Sequence, residues 1–367
     1  MLYAFTFITM VGGNPKKDAY GFRYWRDPGP MAGEGDLGRF EGFLGAWWAA
    51  SFCIVGPEYI SMVSGEAKRP RVYIKNAFKT VYWRFGIFFI MGALCTGIVI
   101  PYNDSTLVAI LTGENGGGGT AAASPYVIAM KNLAIPVMPS VTNALLVTSI
   151  FSAGNTYTYC ATRSMYTLAL EGRAPKIFRK CTKNGVPIYC FAITMVFPFL
   201  SFLQVSDDSS KVLTWLVALV TAGGLINFIV MMVTYICFYK ACKAQGVDRN
   251  TLPYRGYFQP YQTYVALGFL IFIVFTYGYA VFKPGNWLID TFMSSYAMLM
   301  VAPCLYLFWK FFKGTRIIPS KEVDLVWDAP LIDAYEASFT TPPISFWTEM
   351  AQLIGFYRNV PVDKRAV

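Results

Sequence analysis

Three stretches without a single Asp, Glu, Lys or Arg constrain this chain most: Asn132–Thr162, Val212–Tyr239 and Gly256–Phe282. Each exceeds the roughly 20 residues that a helix needs to cross a bilayer. A helix in a soluble domain seldom runs so far without a charge, because one of its faces meets water. Only 14% of the 367 residues are charged and 55% are hydrophobic. A soluble domain carries about 25% charged residues. The fold class expected from these stretches is all-α and integral to a membrane.

The net charge of +10 does not make the chain a nucleic-acid binder. Its basic residues gather in short connections between apolar spans: Lys68, Arg69 and Arg71 with Lys75 and Lys79; Arg173, Lys176, Arg179, Lys180 and Lys183; Lys240, Lys243, Arg249 and Arg255. Short basic loops mark the cytoplasmic side of a membrane protein. No basic face with interleaved aromatics is present, so the expected partner is a lipid bilayer and not nucleic acid. The eight cysteines form no CxxC pair, and there is no histidine. Neither a metal site nor a disulfide framework is expected. An enzyme would need a nucleophile–base pair or metal ligands within the spans, and the missing histidines argue against one.

Read in order, residues 1–11 form a partial transmembrane helix and 12–41 a polar outer loop. Residues 42–311 form the membrane domain, with spans at about 42–66, 84–101, 138–165, 186–205, 211–238, 262–282 and 287–311. These make about seven full spans plus the partial one. Residues 312–367 form a tail on the cytoplasmic side. The spans alternate consistently with the three basic loops. The loop Gly12–Gly38 is the exception: it belongs outside yet holds Lys16, Lys17, Arg23 and Arg26.

The first full span is interrupted. From Gly42 to Pro57 it carries no charge; then Gly56-Pro57 breaks it and Glu58 follows at once. Helix breakers at membrane depth are tolerated where protein or a water-filled cavity receives the freed backbone groups. An ionisable residue there points to function. Glu58 has two open readings. As a proton carrier, burial would bring its pKa toward the working range. As a structural anchor, it would tie the broken helix by hydrogen bonds. Elsewhere, Ser152, Asn155 and Thr156 are polar at membrane depth, as are Thr221 and Asn227 beside Gly223-Gly224. Ser, Thr and small residues commonly serve helix packing in lipid. Asn227 has a costlier side chain and is a candidate for substrate selectivity.

The motifs agree, in order, with one family. FCIVGPEYISMVSGEAKRPRVYIKNAFKTVYWRFGIFF resembles the sixth and seventh helices of fungal amino-acid permeases, in the amino acid–polyamine–organocation superfamily. GFRYWRDPGP resembles the outer loop that precedes them. SAGNTYTYCATRSMYTLALEGRAPKIFRKCTKNGVPI resembles the eighth helix and its following loop, and KACKAQGVDRNTLPYRGYFQPY the loop between the tenth and eleventh. GEAKRPR, AFKTVYWRFGIFF and GGLINFIVM are most similar to the dicarboxylic subgroup. Many general permeases carry tryptophan where Asn227 stands. The resemblance covers about residues 10–330.

The resemblance implies an inverted-repeat, LeuT-like transporter, with the second repeat running to about residue 240 and a final hairpin after it. It implies an amino-acid substrate, the proton as coupling ion, no other cofactor and a place in the plasma membrane. Backbone carbonyls near Phe52, Cys53, Val55 and Gly56 would meet the substrate's ammonium, with Phe52 as an aromatic gate. Asn155 and Thr156 match a motif near the site. The chain would begin inside the fifth helix and lack the first, which supplies the other broken half of the site. Uptake of acidic amino acids is therefore the expected function of the complete protein, with this chain inactive alone. An amino-acid sensor on the same scaffold and a permease for neutral or basic amino acids are the alternatives.

Overall fold

The computed structural model describes residues 1–31, 33, 35–53, 56–111, 124–205, 207–339, 343–344, 347–348 and 351. In chain order the helices are α1 (Leu2–Met10), α2 (Arg23–Arg26), α3 (Gly35–Cys53), α4 (Pro57–Met62), α5 (Pro70–Arg84), α6 (Met91–Val99) and α7 (Ser105–Leu111). They continue with α8 (Pro125–Asn132), α9 (Met138–Leu170), α10 (Ile188–Thr194), α11 (Asp207–Ala244), α12 (Tyr261–Thr276), α13 (Ile289–Lys313) and α14 (Ala329–Ala337). Among the described residues there is no strand. The chain divides into two compact units, Met1–Ile54 with Thr80–Pro198 and Val55–Lys79 with Phe199–Val367.

Among the described residues three helices are long and apolar enough to cross a membrane: Pro70–Val99, Ala222–Ala244 and Ser295–Lys313. Ile188–Leu203 and Tyr261–Thr276 are shorter apolar helices. In each of the three long helices only 11% of the most apolar window is buried by the protein itself. Faces as apolar as these are stable when lipid covers them.

Helix ends differ from the expected spans for local reasons. α3 starts at Gly35, inside the expected outer loop, with Asp36 in its first turn. A carboxylate there complements the helix dipole, so the helix extends beyond the charge-free run. α10 stops at Thr194 and a 3-10 stretch, Phe197–Val205, continues it. Pro198 has no N–H for the Thr194 carbonyl and its ring crowds the preceding turn. A π-helical stretch, Phe85–Ile90, joins α5 to α6.

The core of the first unit lies where α1, α6 and α8 meet. Phe5, Cys95, Ile98, Val99, Ile128, Ala129 and Met130 are buried there, with Phe5 edge-on to Tyr126 at 6.4 Å. Thr6 and Thr9 are buried in α1, and their hydroxyls bond to Leu2 O at 3.0 Å and Phe5 O at 2.9 Å. Those bonds satisfy the hydroxyls, which would otherwise cost about 1–3 kcal/mol each to bury. Thr9 Oγ1 also meets Tyr20 Oη at 2.7 Å, which fastens the following loop to the helix. At the far end of α9, Arg179 donates to Ala169 O at 2.6 Å and Leu170 O at 3.2 Å. A cation on a helix's last carbonyls completes their bonding.

In the second unit α11 packs against α12 and α13. Tyr296 Oη donates to Phe275 O at 3.0 Å across that pair. A Cβ on Gly278 would stand 2.3 Å from Tyr296 Cε2, so only glycine lets the chain pass the ring. The connection after α11 carries a polar knot. Arg249 Nη2 donates to Tyr235 Oη at 2.6 Å and Gln259 Oε1 at 2.7 Å, and its guanidinium lies 5.0 Å from the Tyr239 ring.

Candidate functional site

The break expected around Gly56 is a feature of the backbone. α3 ends at Cys53 and α4 begins at Pro57. Between them Gly56 has φ 120 and ψ −23, a conformation closed to most residues with a Cβ. Proline at the first position of α4 has no N–H to leave unpaired and carries the φ of a helix. Glu58 stands in the first turn of α4, and its Oε2 accepts the Gly56 N–H at 3.3 Å. The carboxylate thus caps its own half-helix. Within the half-helix Ser61 Oγ donates to Glu58 O at 2.5 Å, and from the closing 3-10 turn, Ser64–Glu66, Ser64 Oγ donates to Ser61 O at 2.6 Å.

Phe52 and Cys53 form the last turn of α3, and their side chains lie outside the described residues, as does the whole of Val55. Asn155 and Thr156 stand mid-way along α9 in the first unit, both exposed. Thr156 Oγ1 donates back to Ser152 O at 3.1 Å. Asn227 stands in α11 in the second unit, exposed, and its amide donates to Met231 Sδ at 3.7 Å. A thioether is a weak acceptor, so among the described residues most of that amide's bonding capacity is left for another group. Gly223 fits the packing role expected of it, since a Cβ there would reach Met298 Cε at 3.4 Å; Gly224 faces open space. The Thr221 side chain lies outside the described residues. Within the second unit no hydrogen bond joins Glu58 to Asn227 among the described residues.

Outside the spans, Asp18 and Arg23 form a two-pronged pair, Nη2 to Oδ1 at 2.6 Å and Nη1 to Oδ2 at 2.9 Å. The Arg23 hydrogen bond holds the Asp18 carboxyl below its ordinary 3.8. Among the described residues no group of three or more His, Cys, Asp or Glu side chains could hold a metal ion.

Sequence reasoning treated Arg249 only as a loop charge and missed its knot with Tyr235 and Gln259. The available signal was Tyr235 and Tyr239, four apart and so on one face of α11, next to a loop arginine. The aromatic residues of the tail suggest packing on the inner face, but no local pattern names the Arg69, Arg71 and Tyr73 surface to which residues 329–339 and Ile344 return.

The chain matches the amino acid permease family over residues 1–319. It is 44% identical over 318 residues to a general amino acid permease of Saccharomyces cerevisiae, covering 84% of this chain and 53% of that protein. It is 38% identical over 303 residues to a proline-specific permease of Emericella nidulans, covering 82% and 54%. It is 35% identical over 324 residues to a dicarboxylic amino acid permease of Saccharomyces cerevisiae, covering 87% and 53%. The chain spans about half the length of these relatives, which by name are permeases and not enzymes. No solved structure matches it. The family match across 1–319, over helices apolar enough to cross a membrane, makes this chain an integral membrane protein of the amino acid permease family.

Proposed function

We propose that this chain serves proton-coupled uptake of acidic amino acids across the plasma membrane, with its C-terminal segment in the cytosol. The observation that carries the reading is the family match over 1–319, which includes the broken helix with its capping glutamate. An amino-acid substrate presents an ammonium and a carboxylate, and both need partners when taken out of water. Carbonyls freed where α3 ends suit the ammonium. Asn155, Thr156 and Asn227 offer neutral hydrogen-bonding groups for substrate selection.

Glu58 has a role in which its two readings meet. As a carboxylate it accepts the Gly56 N–H. Protonation removes most of that acceptor strength, so a proton on Glu58 loosens the cap of α4. Proton binding and movement of the half-helix are then one event. The support for acidic substrates is the likeness to the dicarboxylic permease at 35% identity. A broader specificity is favoured by the 44% identity to the general permease.

Uptake of labelled aspartate, proline and lysine by transporter-deficient cells separates the two. The protein should be expressed together with whatever coding sequence adjoins it in its gene. Saturable aspartate uptake, inhibited by glutamate and not by proline or lysine, is the expected result. Uptake of proline or lysine without aspartate would overturn the acidic assignment.

A further inference from the structure

α5 begins at Pro70, and the first backbone N–H groups of a helix have no partners within it. One of these, Arg71 N–H, donates to Glu336 Oε1 at 2.9 Å, from 265 residues further along the chain. The Arg71 guanidinium reaches the same tail helix twice, pairing through Nη1 with Asp333 and donating from Nη2 to Ala329 O at 3.3 Å. Arg69 lies over the Phe339 ring at 5.0 Å and is only 7% exposed. Ile344 N–H donates to Tyr73 Oη at 3.2 Å. Upstream, Gln245 Nε2 holds the start of the tail through Ser320 O at 3.1 Å and Val323 O at 2.7 Å. All these residues belong to the second unit.

We infer that residues 320–339, together with Ile344, form a releasable latch, which caps α5 and immobilises the turn joining the broken helix to it. That turn, Ala67–Arg69, is the covalent link between the Ser64–Glu66 turn and α5. Any motion of α4 relative to α5 passes through it, and the latch grips its α5 end. The grip includes a cap, a partly exposed ion pair, a cation–ring contact and the hydrogen bonds to Ala329 O and from Ile344 N–H. The Arg71 side chain is 31% exposed and that of Asp333 58%. Contacts so open to solvent are individually weak and screened by salt. They suit a segment that detaches without unfolding the spans. The latch is a property of the tail and the turn, whichever substrate the protein carries. Its consequence for transport rests on the permease reading.

Hydrogen–deuterium exchange of the purified protein in detergent micelles tests the latch directly. It needs no assumption about sidedness or substrate. The Asp333→Ala, Glu336→Ala variant should exchange amides 67–69 and 71–73 about three- to tenfold faster than the parent, because exchange follows the local opening equilibrium and a cap plus an ion pair are lost. Amides of α12 should be unchanged. Arg71→Glu should also accelerate exchange at 67–69 and 71–73, and adding Asp333→Arg should slow it again by restoring the pair with its signs reversed. Equal exchange in parent and variant would overturn the latch. So would equal acceleration in α12, which would mean general loosening, or a reversed pair that restores nothing.

Discussion

Asp18 is held by Arg23 through both of its carboxylate oxygens. Its carboxyl is held below the ordinary aspartate value of 3.8 by Arg23. The pair therefore adds stability above that value, and its contribution disappears as pH falls through the lowered folded-state value. Thermal unfolding of Asp18→Asn should show a lower midpoint than the parent at neutral pH, with the gap closing in acid. A gap that persists or widens in acid would contradict the assigned cause. At this scale the sequence named several important residues but not their partners. Gly56 and Glu58 were legible because a breaker and a carboxylate in an apolar run are costly and local. The bond between them spans two residues, and periodicity cannot show whether a carboxylate turns back or outward. Arg69 and Arg71 were read as loop charges, since their partners lie at the other end of the chain.

Among the elements, the π-helical stretch Phe85–Ile90 shows what span-counting misses. Met91 N–H bonds to Gly86 O, five residues back, and Tyr3 Oη donates to the neighbouring Ile87 O at 2.5 Å. A π turn inside an α-helix is uncommon and frequently has a functional place. The Tyr3 hydroxyl ties α1 to it within the first unit. Tyr3→Phe should cost about 0.5–1.5 kcal/mol, the net worth of one such bond. Denaturant or thermal unfolding in micelles reads this cost, and a variant as stable as the parent would show that the bond carries nothing. The apolar segments were legible from missing charge alone. Their ends were not, because Asp36 extends α3 and Pro198 cuts α10 short through backbone hydrogen bonding rather than hydrophobicity. Among the described residues three helices are long and apolar enough to cross a membrane, with two shorter apolar ones, and the expected seven spans are not tested by that count.

For the whole molecule, the family was readable because several motifs occur in order, and the match over 1–319 spans those stretches. The candidate site was less legible. Phe52, Cys53 and Val55 were chosen by resemblance, and their side chains lie outside the described residues. Asn155 and Asn227 belong to different units. The relatives differ in the substrates their names carry, so likeness alone does not select one. The proposed function couples a proton to amino-acid movement through the half-helix that holds Glu58. Proteoliposomes holding the full protein and an internal pH dye measure that coupling in one experiment. Adding external aspartate should acidify the lumen of vesicles with the parent protein, and Glu58→Gln should leave aspartate entry without acidification. Aspartate entry with no proton movement in the parent, or acidification undiminished in Glu58→Gln, would contradict proton coupling through Glu58.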